Sequence, residues 1–395
     1  MEERAARFLV STEGRDLARE LDAMEGGWDL RLRRLRKTLS SWRAAALVDQ
    51  ARGRMSLMRR HPLGDRLFVT ARGAAQSSSA LAAVWRARRF DGSGPIADLG
   101  AGLGIDALAL SAAGPVIAVE RDPGVAILLR ANLGDAAHPA LAVRARIEDG
   151  VPQTLWAYCD PDRRPGGRRV SDPEEASPTL SLLTHWLDEG RWKGLAVKLS
   201  PAAPVDRIQE LGELEFVSIG RELKEIVLWM GELARGRRRV ALPDRAFEWE
   251  GEGDVVLPVT APGAFVHRPD PALSRSGLAG ALASELGVFP LDDERRLYTG
   301  NEALGHPGFK SMPILAVTKV SRRKVQALVN ESALGPLTAT RCGRGPSSEE
   351  FLKGLRAKGS TPAHFFLTTI DGRPRVVVAH PHVEFGSGEA NSGAI

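Results

Sequence analysis

The strongest chemical signal in the chain is Ala97-Asp98-Leu99-Gly100-Ala101-Gly102-Leu103-Gly104-Ile105-Asp106, which follows a short apolar run and opens a helical one. Glycines at such a strand-to-helix turn let the backbone approach a ligand closely. A dinucleotide site would read Gly-x-Gly-x-x-Gly, yet the sixth position from Gly100 is Ile105, and the spacing is Gly-x-Gly-x-Gly with an acid two residues before it. Asp98 would repel a pyrophosphate and attract an ammonium group. Glu120 closes the next apolar run, 18 residues beyond Gly102, where a carboxylate can accept hydrogen bonds from both hydroxyls of a ribose. An acid for an ammonium group together with an acid for a ribose predicts S-adenosylmethionine as the ligand and argues against a nicotinamide dehydrogenase. Glu148 or Asp149, after the third apolar run, could accept from an adenine amino group or cap a helix.

A second constellation, Asp160-Pro161-Asp162-Arg163-Arg164, follows the fourth apolar run, where a sheet of this type opens toward a second substrate. Methyl transfer is direct in-line displacement, so the protein mainly positions the acceptor and takes a proton or hydrogen bond from it; Asp160 is the candidate for that role. Arg163 and Arg164 could hold a phosphate, stack on a base through the guanidinium plane, or pair with Asp162 or another acid. Lys198, in Val197-Lys198-Leu199-Ser200-Pro201, could contact substrate or neutralise a carboxylate. Carbon-5 methylation of a pyrimidine needs a nucleophilic cysteine. The Lys198 segment has none, and strand alternation turns Cys159 away from Asp160. Nitrogen or oxygen is the expected acceptor.

Through Asp98–Gly104, Glu120, Glu148-Asp149 and Asp160-Pro161 the chain resembles class I S-adenosylmethionine-dependent methyltransferases, over about residues 70 to 245. It is more similar still to a bacterial family that joins such a domain to a C-terminal THUMP-like domain. The residues that carry this are Tyr158-Cys159-Asp160-Pro161-Asp162-Arg163-Arg164, Val197–Pro201 and Leu228-Trp229-Met230-Gly231. The resemblance implies a Rossmann-like catalytic sheet, a glutamine, Gln76, beside the methyl donor, and a structured RNA, tRNA or rRNA, as substrate. Two departures stand out: amino-methylating relatives follow Asp/Asn-Pro-Pro with an aromatic that stacks on a flipped base, where this chain has Arg163, and the bacterial family has Ala in place of Asp162.

These residues need a parallel sheet to hold them, and the pattern supplies one. Short apolar runs at 95–99, 115–120, 141–145, 155–160 and 194–199 alternate with helical stretches, which predicts a mostly parallel sheet covered on both faces. Leu214–Ile219, Glu225–Met230 and Arg239–Leu242 are further candidate strands, and the pattern leaves open which two of them close the sheet. Residues 1–72 read as a helical N-terminal domain, with Leu17, Leu21, Leu32, Leu35, Leu39 and Trp42 at three- and four-residue spacing. The methyltransferase domain is expected over 73–250, a Pro- and Gly-rich junction and accessory segment over 251–311, a small α+β, THUMP-like domain over 312–385, and a disordered tail over 386–395. In the α+β part the expected order is strand 312–320, helix 322–331, strand 336–341, helix 347–358 and a hairpin 365–370/373–379 turned by Asp371-Gly372.

The 395 residues are 43% hydrophobic and 26% charged, ordinary values for a folded chain of two or three domains. Net charge is +5, but residues 1–90 carry 19 Lys/Arg against 10 Asp/Glu, residues 91–309 carry 23 against 33, and residues 310–395 carry 12 against 6. Basic ends around an acidic middle suggest that the ends meet a polyanion. Arg322, Arg323, Lys324, Arg341 and Arg344 are the expected RNA contacts in the last domain. Two separated cysteines and no clustered histidines imply no metal. No apolar run is long enough for a membrane span and the first ten residues lack a basic leader, so a cytoplasmic location is expected. The leading expectation is methylation of a base nitrogen of structured RNA. The alternatives are a small-molecule or protein methyltransferase and a non-catalytic RNA-binding protein that keeps the cofactor fold.

Overall fold

The computed structural model describes residues 1–90, 92, 94–164, 167–168, 170–253 and 255–381. The expected tail at 386–395 lies outside them. The chain divides into two compact units, one of residues 1–219 and 223–239, the other of residues 220–222 and 240 onward.

The first unit opens with six helices: α1 (Glu3–Val10), α2 (Thr12–Ala23), α3 (Trp28–Leu35), α4 (Ser41–Met58), α5 (Ala71–Gln76) and α6 (Ala80–Ala87). They are followed by β1 (Ile96–Leu99), α7 (Ile105–Leu110), β2 (Val116–Glu120), α8 (Pro123–Asn132), β3 (Ala140–Arg144), β4 (Trp156–Cys159), α9 (Leu180–Asp188), β5 (Gly194–Leu199), α10 (Val205–Ile208), β6 (Glu213–Ile219) and β7 (Glu222–Gly231). β8 (Arg238–Leu242) is the strand in which the division falls. The strand order reads β3-β2-β1-β4-β5-β7-β6. β1 pairs in parallel with β2 and β4, and β5 in parallel with β4, while β7 runs antiparallel to β5 with Lys198 opposite Val227. Of the three late candidate strands, the one around Glu225–Met230 therefore inserts beside β5, and Leu214–Ile219 lies outside it. The four residues of β1 and of β4 and all six of β5 are buried, as strands covered on both faces must be.

The N-terminal helices are not set apart from the sheet. Phe8, Leu9, Leu21, Leu47, Leu57 and Val69 share one core with Leu103 and Ile105 of the glycine turn and Leu128 of α8. The helical spacing of the apolar residues is satisfied by packing onto the sheet's helices, so residues 1–72 belong to the same compact unit.

The second unit holds β9 (Phe247–Gly251), β10 (Phe265–Pro269), α11 (Pro271–Ser276), α12 (Ala279–Glu285), β11 (Phe289–Pro290), β12 (Tyr298–Gly300), β13 (Phe309–Lys319), α13 (Arg322–Glu331), β14 (Leu334–Arg341), α14 (Ser348–Leu352), β15 (Thr361–Ile370) and β16 (Arg373–Ala379). Its sheet runs β11-β12-β10-β13-β16-β15-β14. Residues 251–311, read above as a junction and accessory segment, hold β10, β11 and β12, with β10 pairing antiparallel with both β12 and β13. The helix expected over 347–358 is shorter. Ser347 caps it with a capping box, but it ends at Leu352, and Gly354 at φ +83° turns the chain away. The hairpin forms as patterned, with Asp371 at φ +51° and Gly372 at φ +67°.

Candidate active site

Beyond the carboxyl end of β1, Gly100, Gly102 and Gly104 take φ of +79°, +55° and +84°, the left-handed region that suits glycine. The amides of Gly100 and Ala101 donate to the Val119 carbonyl at 3.0 and 2.9 Å, so the turn is tied to β2. A methyl group added at Gly102 would meet nothing within 4 Å and would project into open space, whereas one at Gly104 would lie 2.6 Å from Leu129 Cδ1. Gly100 and Gly102 accordingly line a cleft of about 820 Å³, while Gly104, the N-cap of α7, serves packing and is not on its wall.

Glu120, at the end of β2, accepts from the Gly102 amide at 3.0 Å through one oxygen and from the Asp122 amide at 2.7 Å through the other. Each oxygen keeps a further lone pair for the cleft. Asp98 is 1% exposed, and its Oδ2 is buried without a hydrogen-bond partner. Burial, reinforced by the neighbouring carboxylates of Asp106, Asp160 and Glu120, pushes its pKa well above the usual range, with Arg86 opposing. An orphaned buried carboxyl on the wall of a cleft is a group that lacks a cation.

Asp160, after β4, accepts from Lys198 Nζ of β5 at 2.7 Å. Lys198 also donates to Ser78 Oγ at 2.9 Å. Ser78 in turn donates to Asp106 Oδ2 at 3.0 Å and accepts from Arg86 at 3.0 Å, which fills its hydroxyl. Arg86, 1% exposed on α6, forms ion pairs with Asp106 and Glu225. Burial works against the charge on Lys198, but Asp160, Glu225 and Asp106 together raise its pKa. For Asp106 burial is outweighed by Arg86 and Lys198, and its pKa falls. Lys198 is therefore a buried ammonium fixed on both sides.

α5 closes the adjoining wall. Thr70 caps it by accepting from the Gly73 amide, and Gly73 seats it so tightly that an added methyl would lie 2.7 Å from Leu103 Cδ1. This brings Gln76 and Arg72 to the cleft, together with Asp49 of α4, whose pKa burial raises. Glu148 also reaches the cleft and accepts from Ser177 Oγ at 3.3 Å, but the neighbouring Asp149 is exposed and off the wall. At the other end, Asp162 accepts from the Arg164 amide at 3.0 Å and pairs with Arg121 at 3.4 Å, not with Arg163. Arg163 and Arg164 both line the cleft. Cys159 is fully buried and burial raises its pKa, so it offers no nucleophile.

The cleft thus gathers Gln76, Asp98, Gly100, Gly102, Glu120, Glu148, Asp160, Arg163 and Arg164, with Lys198 one hydrogen bond behind, and leaves out Gly104 and Asp149. Sequence reasoning missed Asp49, Ser78, Arg86 and Glu225, and gave Asp106 no role. Only Asp106 had a signal, being part of the glycine segment; the rest become neighbours through folding alone. In the second unit the five expected RNA contacts are all exposed. Arg322 and Arg323 line one shallow basic depression with Arg356 and Lys358; Lys324, Arg341 and Arg344 do not.

No protein-family model and no curated protein matches the chain. Among solved structures it is similar to a Porphyromonas gingivalis W83 protein named as a "putative methyltransferase", with a TM-score of 0.75 and 19% identity, over 93% of this chain and 98% of that one. A T. thermophilus 16S rRNA methyltransferase in complex with AdoMet and guanosine is similar over 40% of this chain and 43% of its own, at 18% identity and a TM-score of 0.31. The likeness to the P. gingivalis protein extends along nearly the whole of both chains: this chain has the mixed α/β, Rossmann-like methyltransferase fold.

Proposed function

We propose that the chain is an S-adenosylmethionine-dependent methyltransferase acting on a base nitrogen of structured RNA, tRNA or rRNA. The observation that carries this reading is the orphaned, buried Asp98 carboxyl beside the open space at Gly102, on the wall of the cleft that Asp160 also lines. The residues suit the group. Asp98 would take the ammonium of the methionine end, Gln76 would lie beside it, Glu120 would accept from the ribose hydroxyls and Glu148 from the adenine amino group. When bound, S-adenosylmethionine supplies a methyl group on a positively charged sulfur, open to in-line displacement.

Asp160 does the work on the acceptor side. Its Oδ2 is engaged by Lys198, which leaves Oδ1 to accept from the acceptor N–H and to take that proton as nitrogen gains the methyl group. Lys198, fixed by Ser78, holds the carboxylate in place. Support for RNA comes from the basic ends, 19 Lys/Arg against 10 Asp/Glu in residues 1–90 and 12 against 6 in residues 310–395, and from the exposed Arg322, Arg323, Lys324, Arg341 and Arg344 in a unit we read as THUMP-like. Calorimetric titration tests the cofactor half: S-adenosylhomocysteine should bind and NAD should not. Saturable NAD binding without S-adenosylhomocysteine binding would end the reading.

A further inference from the structure

The cleft is electrostatically divided. Around the glycine floor stand Asp49, Asp98, Asp106, Glu120 and Asp122, with Arg72 and the Met1 ammonium, which pairs with Asp122 at 3.2 Å, as cations among them. Past β4 stand Arg163 and Arg164, and Asp162 does not neutralise them, because its carboxylate is taken by Arg121 and by the Arg164 backbone amide. Arg163 is half-buried, its Nη1 is buried with no hydrogen-bond partner, and among the described residues it forms no ion pair. A guanidinium so placed has lost water from one edge and gained nothing in exchange. Stacking under a base would use only its face; an oxygen acceptor in the cleft, which Arg163 lines, gives the unpaired cation a partner.

We propose that Arg163 binds a phosphate of the acceptor molecule, so that the substrate presents a phosphate oxygen in the cleft beside Asp160. This deepens the methyl-transfer reading and rests on it for the role of Asp160. The guanidinium fork matches phosphate oxygens in pairs, and the tetrahedral group has oxygens left for Arg164 at the rim. The phosphate belongs either to a polynucleotide backbone or to a free phosphorylated nucleoside. In both cases the unpaired guanidinium gains an anionic partner, and the acceptor is selected by charge as well as by shape.

Phosphorus NMR of inorganic phosphate titrated into the full chain, with and without S-adenosylhomocysteine, tests this directly. Saturable binding is expected, weakened at least tenfold in Arg163→Gln and by a smaller factor in Arg163→Lys, which keeps the charge but not the fork. Affinity for S-adenosylhomocysteine should stay unchanged in both variants. No saturable phosphate binding, or equal binding by Arg163→Gln, would overturn the proposal. Because the titration is also run without cofactor, it decides the role of Arg163 even if S-adenosylhomocysteine fails to bind, a result that would sink the methyltransferase reading alone. Competition of phosphate by an RNA oligonucleotide but not by nucleoside monophosphates assigns the phosphate to a polymer; the reverse assigns it to a small acceptor.

Discussion

Lys198 Nζ lies 2.7 Å from Asp160 Oδ2, joining β5 to the acceptor side of the cleft. The lysine side chain is 7% exposed and the aspartate 26%, so the pair is screened by protein on one side and open to a ligand on the other. A lysine buried in this way has no conformational freedom to lose when the acceptor arrives.

Replacing Lys198 with Met should lower kcat by a factor on the order of 100 while leaving affinity for S-adenosylhomocysteine within about threefold, because the loss falls on orientation of Asp160. Single-turnover kinetics beside calorimetry reads this split. If affinity and turnover fell together, Lys198 would be a part of the fold and not a positioning residue.

Affinity for a cationic ligand should rise with pH. Asp98 has a folded-state pKa well above 3.8, raised by burial and by Asp106 and Asp160, so at pH below that raised value it holds a proton that an ammonium group would displace. The sign for stability is the opposite. The folded chain binds the extra proton, and ligand-free stability declines as pH climbs from 3.8 through the raised value. Calorimetry in two buffers of different ionisation enthalpy should detect proton release on binding of S-adenosylhomocysteine, and Asp98→Asn should abolish it and weaken binding. Equal heats in both buffers for the unaltered chain would count against Asp98 as the ammonium partner.

Gly102→Ala and Gly104→Ala should separate ligand binding from stability. Both residues have positive φ, which costs an L-residue roughly 1–2 kcal/mol. At Gly102 the new methyl enters open cleft and should weaken S-adenosylhomocysteine; at Gly104 it meets Leu129 at 2.6 Å and should chiefly lower Tm. Thermal melts with and without ligand distinguish the two, and identical behaviour would show that the cleft does not hold the ligand where we place it.

Glu213 on β6 accepts from both terminal nitrogens of Arg89 at 2.9 Å, and although burial opposes it, these hydrogen bonds and the charge of Arg89 lower its pKa from 4.5 to about 2. A depressed carboxylate stabilises above its unfolded value and loses that contribution as pH falls from about 4.5 through 2. The shift corresponds to about 3 kcal/mol at neutral pH. Glu213→Gln should therefore lower Tm at pH 7 and flatten its acid dependence, followed by calorimetric melts; an unchanged Tm at pH 7 would contradict the pairing.

Much of the site could be read from the chain itself, because Asp98, the glycines, Glu120 and Asp160 each lie at or just past the carboxyl end of one of the parallel strands β1, β2 and β4, and strand ends are marked in sequence by where apolar runs stop. What could not be read are the contacts made across the sheet order. Glu225 meets Arg86 only because β7 inserts antiparallel beside β5, and Ser78 meets Lys198 only because α5 and α6 fold back over the sheet. Gly104 shows the converse limit: spacing groups it with Gly100 and Gly102, but its φ serves the start of a helix and not the ligand. The N-terminal helices were legible as helices, yet periodicity cannot say what an apolar face packs against, and here it is Leu103, Ile105 and Leu128.

The central claim is tested most directly by transfer of a radiolabelled methyl group from S-adenosylmethionine to total tRNA and rRNA taken from cells lacking this protein, comparing the unaltered chain with Asp160→Ala. Label in one RNA class, lost in Asp160→Ala although S-adenosylhomocysteine still binds, is the predicted result. Bound S-adenosylhomocysteine with no label in any RNA would contradict the account.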